Sequence, residues 1–361
     1  MDTSDPDITF SEQGYCNHCT DYFNRITHLT YQGERSDRQL EIIVERIRRA
    51  GKGRDYDCVT GVSGGVDSSY TAYVLKKLGL RTLAVHMDNG WNSDIAVKNI
   101  KNLSRVLKID YQSVVLDWDE FRDLQLAFLH ASVPEIETPT DMAIPAALHK
   151  VAADHGVRYV ISGGNYATEG ILPASWHYNA KDLKFLRGIH RQFGQRPLRT
   201  FPTFGYLDEM YYKLVRGIRI VYLLNYVPYS KAEAIRLLQE DFAWQDYGGK
   251  HFESRITGFV HSYVFPAKFG YDYRRATLST QICAGEVSRE RALEVLKSPP
   301  FQAENIAREK EYIAKKFEIT LQELDEILAR PPKSQRNYPN DQRKLELIYR
   351  VYRRIFRAPS H

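Results

Sequence analysis

Hydrophobic positions in this chain gather into short β-branched runs separated by longer stretches of helical periodicity. Cys58-Val59-Thr60-Gly61-Val62 has the character of a buried strand bounded by polar residues. Arg81 to Met87, Tyr111 to Val115 and Val157 to Ser162 predict three more strands. Between them lie helical patterns: one opens at Asp67-Ser68-Ser69 and stops at Gly79, and others cover Asp94 to Leu107, Asp119 to Ala131 and Asp141 to His155. Ahead of the first strand, Leu40, Ile43, Val44 and Ile47 share one face of a helix from about Ser36 to Ala50. Strands alternating with helices predict an α/β fold, a doubly wound parallel sheet covered on both faces. Ligands in such sheets bind beyond the carboxyl ends of the strands. Here those ends are Gly61-Val62-Ser63-Gly64-Gly65, His86-Met87-Asp88 and Gly163-Gly164-Asn165, which together suit one nucleotide.

From about Gly170 the alternation ends and aromatic and basic segments take over. Helices are expected at Met210 to Tyr222 and at Ser230 to Gln239, where Ser230 and Glu233 form a capping box. A stretch from Trp244 to Ser254 carries Gly248-Gly249-Lys250-His251-Phe252-Glu253, a loop suited to close approach of a ligand. Lys268 to Arg275 leads into a helix at Leu278 to Ala284, and two polar helices lie between Pro299-Pro300 and Pro331-Pro332. The last helix presents Leu345, Ile348, Tyr349, Tyr352, Ile355 and Phe356 on one stripe, with Arg350, Arg353, Arg354 and Arg357 facing away. Docking of that stripe on the rest of the chain is expected. The resulting division is an N-terminal Cys-x-x-Cys segment (1–35), a nucleotide-binding domain (36–170), substrate-binding and remaining catalytic elements (171–298) and a mostly helical C-terminal extension (299–361).

Composition narrows the function. The net charge is +5, but residues 331–361 hold eight Lys/Arg against Asp341 and Glu346, so the remainder is slightly acidic. Bulk charge therefore argues against nucleic acid as a partner. No apolar run approaches the roughly 20 residues of a membrane span, and the acidic, polar start is unlike a signal peptide, so a cytoplasmic location is expected. Four cysteines are too few for a disulfide framework; Cys58 reads as a small core residue. Cys16-Asn17-His18-Cys19 supplies two thiolates, half of a tetrahedral zinc site.

The strand, glycine turn and helix start at residues 58–69 make an anion site, because backbone N–H groups and the helix dipole converge there. No Lys-Ser/Thr follows the glycines at Walker A spacing. The order Ser63-Gly64-Gly65-Val66-Asp67-Ser68 instead resembles the PP-loop of ATP pyrophosphatases, which hold the β,γ-pyrophosphate and release AMP. Over nearly its whole length the chain looks like an N-acetyl sugar amidotransferase of bacterial surface-polysaccharide (lipopolysaccharide O-antigen) biosynthesis. Met1-Asp2-Thr3-Ser4 with the Cys16/Cys19 pair, the PP-loop, Tyr247 to Ser254, and Lys268 to Asp272 with Arg274-Arg275 carry that resemblance. Family members begin with another Cys-x-x-Cys just before the Met-Asp-Thr that opens this chain. Either the start is truncated or half of the zinc site is absent.

The resemblance implies conversion of the acetamido group of a nucleotide-linked sugar to an acetamidino group with ATP, Mg²⁺ and ammonia. It also implies a partner glutaminase and a synthase-like companion that deliver the ammonia. Neither an N-terminal cysteine nor a Gly-x-Cys-x-Gly elbow is present, since Cys283 lies in Ile-Cys-Ala-Gly. Expected roles follow. Ser63, Gly65, Ser68 and Ser69 cradle pyrophosphate, and Asp67 holds Mg²⁺ or orders the loop. Lys250 and Arg274 or Arg275 neutralise departing charge, and His251 or Glu253 accepts the ammonia proton. The competing expectation is a PP-loop tRNA sulfurtransferase, in which Cys16, Cys19 and Cys283 would hold an iron–sulfur cluster.

Overall fold

The computed structural model describes residues 1–248, 252–301 and 303–356. Five parallel strands form one sheet in the order β3-β2-β1-β4-β5. They are β1 (Cys58–Gly61), β2 (Thr82–Asp88), β3 (Asp110–Val115), β4 (Tyr159–Ser162) and β5 (Arg219–Tyr222). β1 lies at the centre, with Val59 opposite Leu83 of β2 and Val160 of β4. Cys58, Val59 and Thr60 are fully buried, as expected for a central strand covered on both faces. Burial also pushes the Cys58 thiol up to about 12.

Helices Glu34–Gly51, Val66–Lys77, Asp94–Leu107 and Lys231–Phe242 cover one face of the sheet. They pack through Val44, Ile47, Leu75, Ile100, Leu103 and Leu238. Helix Thr138–Asp154 covers the other through Val151 and Ala152 against Val59, Leu83, Val85 and Val160. The sheet and its helices therefore form the expected doubly wound α/β unit.

Two expectations fail. Residues 210–222 are not one helix: a short helix, Tyr206–Met210, runs into a wider turn at Tyr211–Val215, and the chain then enters β5. Gly217, at φ +67, breaks the helical path, and β-branched Ile220 and Val221 pair with β4. The second miss concerns Ser230, which sits at the N-cap of Lys231–Phe242 but makes no side-chain cap bond, so no capping box forms.

The C-terminal part is helical. Helix Arg255–Phe259 continues into a widened turn at Val260–Phe269, which Gly270 ends at φ +78. Helices Tyr273–Cys283, Arg289–Lys297, Ala303–Phe317 and Leu321–Ala329 follow. Ile256, Phe259, Val260, Phe265, Phe317 and Leu324 join Trp91 and Phe121 in one continuous core. The last helix, Gln342–Phe356, docks on its own chain: Leu345 is buried and the Tyr349 ring lies 5.6 Å from that of Tyr206. Among the described residues no helix is long and apolar enough to cross a membrane.

Candidate functional site

β1 ends at the glycine turn, and the helix Val66–Lys77 starts immediately after it. Gly64 takes φ +80, and a Cβ there would come within 2.5 Å of the Ala96 carbonyl oxygen. Only glycine fits this approach. Its own carbonyl accepts from Trp244 Nε1 at 2.9 Å and from Asn99 Nδ2 at 3.3 Å, so neighbouring segments fix the turn. Ser63 and Ser68 join their hydroxyls at 3.1 Å, and Ser63 Oγ also accepts from the Gly65 N–H at 3.3 Å. Ser69 lies deeper; its hydroxyl is fully buried with no hydrogen-bond partner among the described residues. The turn thus offers backbone donors and two paired hydroxyls at a helix N-terminus, an arrangement suited to phosphate oxygens.

Tyr229 donates its hydroxyl to Asp67 Oδ1, which fixes the carboxylate beside the loop. Burial, then the Asp67 charge, pushes the Tyr229 phenol well above its ordinary range, so it remains a donor. A Cβ on Gly65 would meet Tyr247 Oη at 3.2 Å and Glu253 Oε1 at 3.6 Å. These two residues therefore border the cradle. The backbone explains how Glu253 gets there: Ser93 N–H donates to the Glu253 carbonyl at 2.8 Å, Arg255 N–H donates to Trp91 O at 2.9 Å, and Ser254 pairs with Asn92. Lys250 and His251 lie outside the described residues.

The other strand ends converge on the same place. Gly163 approaches so closely that a Cβ would meet the Asp67 carbonyl carbon and the Ser68 nitrogen at 3.1 Å. Asn165 caps the turn that follows by accepting from Thr168 N–H at 2.9 Å, and Gly164 N–H donates to Ser162 Oγ. His86 is buried, with Nδ1 against Val62 O at 2.8 Å and Nε2 against Asn92 Nδ2 at 3.0 Å. Asp88 accepts from Gly90 N–H and Asn92 Nδ2, while Met87 packs against the helical core.

Arg274 and Arg275 are not brought to the loop by their contacts. Arg274 is bonded to Asp272 at 2.7 Å and donates to the carbonyls of Val295 and Ser298. Arg275 pairs with Asp2 at 2.7 Å.

Sequence reasoning passed over a carboxyl cluster in Glu135-Ile136-Glu137-Thr138-Pro139-Thr140-Asp141. Glu137 accepts from Thr257 Oγ1 at 2.6 Å and Gln125 Nε2 at 3.1 Å, and Thr140 accepts from Asn89 beyond β2. Burial holds Glu137 and Glu135 up to about 7 each. Glu135 Oε2 and Trp176 Nε1 are buried without hydrogen-bond partners among the described residues. Carboxyls poised near neutrality suit proton transfer. Three acids within seven residues, just after the helix Trp118–Ala131, were the available signal. Tyr229 offered none.

Three of the four cysteines, Cys16, Cys19 and Cys283, come together. Cys16 and Cys19 sulfurs lie 3.4 Å apart, and a hydrogen bond from Cys283 lowers the Cys19 thiol to about 5. His18 instead bonds Asp5 at 2.6 Å. Among the described residues no group of three or more His, Cys, Asp or Glu side chains is arranged to hold a metal ion.

Comparison with known proteins agrees with this architecture. Residues 57–115 match the family described as tRNA methyl transferase HUP domain. The sheet order, the glycine turn and this match define a PP-loop nucleotide domain of the HUP type. Residues 253–354 match the LPS biosynthesis protein WbpG-like C-terminal domain. The chain therefore joins a PP-loop domain to a WbpG-like domain of lipopolysaccharide biosynthesis. Its relatives include a probable mitochondrial tRNA-specific 2-thiouridylase 1 of Caenorhabditis elegans, 28% identical over 36% of this chain and 38% of that protein. Another is the tRNA-specific 2-thiouridylase MnmA of Helicobacter hepaticus, 32% identical over 28% of this chain and 32% of the relative. The chain thus spans about a third of the length of these curated relatives. Among solved structures it is similar to the NH3-dependent NAD synthetase of Campylobacter jejuni, with 15% identity, a TM-score of 0.32, and coverage of 82% of this chain and 98% of the other.

Proposed function

We propose that this chain is a cytoplasmic, AMP-forming amidotransferase that converts the acetamido group of a nucleotide-linked sugar to an acetamidino group. The observation that carries the reading is the junction of the two domains: Glu253, the first residue of the WbpG-like match, reaches Gly65 of the PP-loop. Segments characteristic of surface-polysaccharide synthesis therefore border the phosphate cradle itself.

The chemistry needs an activated amide, because an amide carbonyl carbon resists ammonia. The acetamido oxygen attacks the ATP α-phosphorus, and pyrophosphate leaves into the cradle of Ser63, Gly65 and Ser68. Ammonia then attacks the carbon of the O-adenylyl imidate, loses a proton, and expels AMP carrying the former amide oxygen. Glu253 borders the loop and is a general-base candidate beside His251; Lys250 is the candidate cation for the departing charge. Mg²⁺ needs only one or two protein carboxylates besides phosphate and water oxygens, and Asp67 fits that demand. When bound, the ion neutralises phosphate charge. The Cys16/Cys19 pair by itself provides only half of a zinc site.

Ammonia would come from a partner glutaminase through a synthase-like companion. No cysteine lies in a Gly-x-Cys-x-Gly elbow and Cys58 is fully buried, so the chain is not expected to supply its own glutaminase nucleophile. Incubation with ATP, Mg²⁺, ammonium and a panel of UDP- and CMP-linked N-acetyl sugars should yield AMP and pyrophosphate together with an amidine. ADP and phosphate as the products would refute the proposal. The likeness of the PP-loop half to tRNA-specific 2-thiouridylases favours one second reading, a tRNA sulfurtransferase, in the form whose cysteines carry an iron–sulfur cluster. Absorption near 400 nm after anaerobic purification is the signature that this alternative requires.

A further inference from the structure

A cleft of about 910 Å³ opens between Phe252, the helix Arg255–Phe259 and the helix Ala303–Phe317. Its volume falls within the usual range for small-molecule sites. On the Ala303–Phe317 helix, Asn305, Arg308, Tyr312 and Lys315 line it. Their spacings of three, four and three place them on one helical face. Phe252, Phe259 and Phe301 supply aromatic walls.

The charges are unequal in their freedom. Arg255 is bound to Glu309 at 2.5 Å and lies 3.4 Å over the Tyr312 ring, so it fixes the wall. Arg308 and Lys315 line the cleft with exposed side chains and have no ion-pair or hydrogen-bond partner among the described residues, and with the exposed Glu311 carboxylate also on the lining they leave one net positive charge there. Two unpaired cations flanking a tyrosine, opposite phenylalanine rings, complement an anion attached to a planar ring.

The cleft is next to the PP-loop. Gly248 and Phe252 line it, whereas their neighbours Tyr247 and Glu253 reach Gly65. At either end of this short segment, adjacent residues serve the two sites. A ligand held in the cleft would have one end close to the ATP phosphates.

We propose that this cleft binds the nucleoside diphosphate, or nucleoside phosphate, portion of the sugar-carrying substrate, with Arg308 and Lys315 on the phosphates and the aromatic walls on the base. This assignment rests on the amidotransferase reading for its substrate class. It locates that substrate in a site separate from the ATP cradle.

The test is calorimetric binding of UDP, CDP, GDP, dTDP and CMP to the full chain saturated with α,β-methylene-ATP. One of them should bind in a single equivalent beside the ATP analogue. The charge reversal R308E/K315E should weaken it by at least about tenfold, with analogue affinity unchanged within about twofold. R308A/K315A should show a smaller loss, and both substitutions are at exposed positions that leave the core intact. Failure of every nucleotide to bind, displacement by the ATP analogue, or equal binding by the reversed variant would overturn the proposal. The outcomes separate the two readings. Cleft-dependent binding without amidine formation sinks the amidotransferase alone, whereas amidine formation with an unchanged sugar-nucleotide KM in R308E/K315E sinks the cleft assignment alone.

Discussion

Asp67 sits in the first turn of the helix that follows the glycine turn. Its carboxylate is held by the Tyr229 hydroxyl at the start of the helix Val66–Lys77. Asp67→Asn should keep the fold but lower AMP formation by about 10²–10³, the usual cost of a lost transition-state electrostatic contact. Steady-state rates together with thermal melts check this, and a wild-type rate would remove Asp67 from the chemistry. Tyr229→Phe should cost about tenfold, since one hydrogen bond to a charged group is lost. Lys250→Ala should cost about 10²–10³ if it meets departing charge, while unchanged turnover and ATP affinity would return it to the surface. At this scale the sequence was informative where chemistry is local. Ser63, Gly64, Gly65 and Asp67 occur in one contiguous run, and their spacing alone implies a phosphate loop. Tyr229 reaches Asp67 only through tertiary packing, and nothing in its neighbours announces that. Arg274 and Arg275 show the converse: a paired-arginine motif drew attention, yet their contacts are with Asp272, two carbonyls and Asp2.

The glycine turn is the element on which the site depends. Gly64→Ala would force a Cβ to within 2.5 Å of the Ala96 carbonyl oxygen while demanding φ +80 of alanine. Left-handed strain and overpacking together should destabilise by about 2–4 kcal/mol. Chemical denaturation measures this, and a variant as stable as wild type would mean that the turn is not so constrained. Four strands and their crossover helices were legible because buried parallel strands are short, β-branched and separated by helical periodicity. β5 was not. Its four residues sit at a sheet edge, half exposed, just after Tyr206–Val215, so the apolar pattern merged with the helix before it. The Ser230 cap failed for a related reason: residue types permit a capping box, but backbone geometry decides whether the bonds form.

At the scale of the whole molecule, the buried carboxyls tie stability to pH. Glu137 and Glu135 are raised by burial to about 7 from the ordinary 4.5, so the folded chain binds protons more tightly than the unfolded one. Their stabilising contribution is complete below about pH 4.5 and is lost as pH rises through about 7. Each contributes up to about 3 kcal/mol across that window. Melting midpoints should therefore fall from pH 5 to pH 8 through this pair. Glu137→Gln, which cannot ionise, should flatten part of the fall; parallel wild-type and variant curves would contradict it. The division of labour between the domains makes a second demand. The isolated chain should use ammonium at high pH but not glutamine, and glutamine-dependent turnover without a partner would show that a cysteine has been misjudged.

In the proposed reaction the acetamido oxygen is made into a leaving group on AMP. The direct measurement starts from a nucleotide-linked sugar carrying ¹⁸O in its acetamido carbonyl, incubated with the chain, ATP, Mg²⁺ and ammonium. Mass spectrometry should find the label in the AMP phosphate, none in pyrophosphate, and an unlabelled amidine. Label retained in the sugar product, or AMP formed without it, would contradict the account.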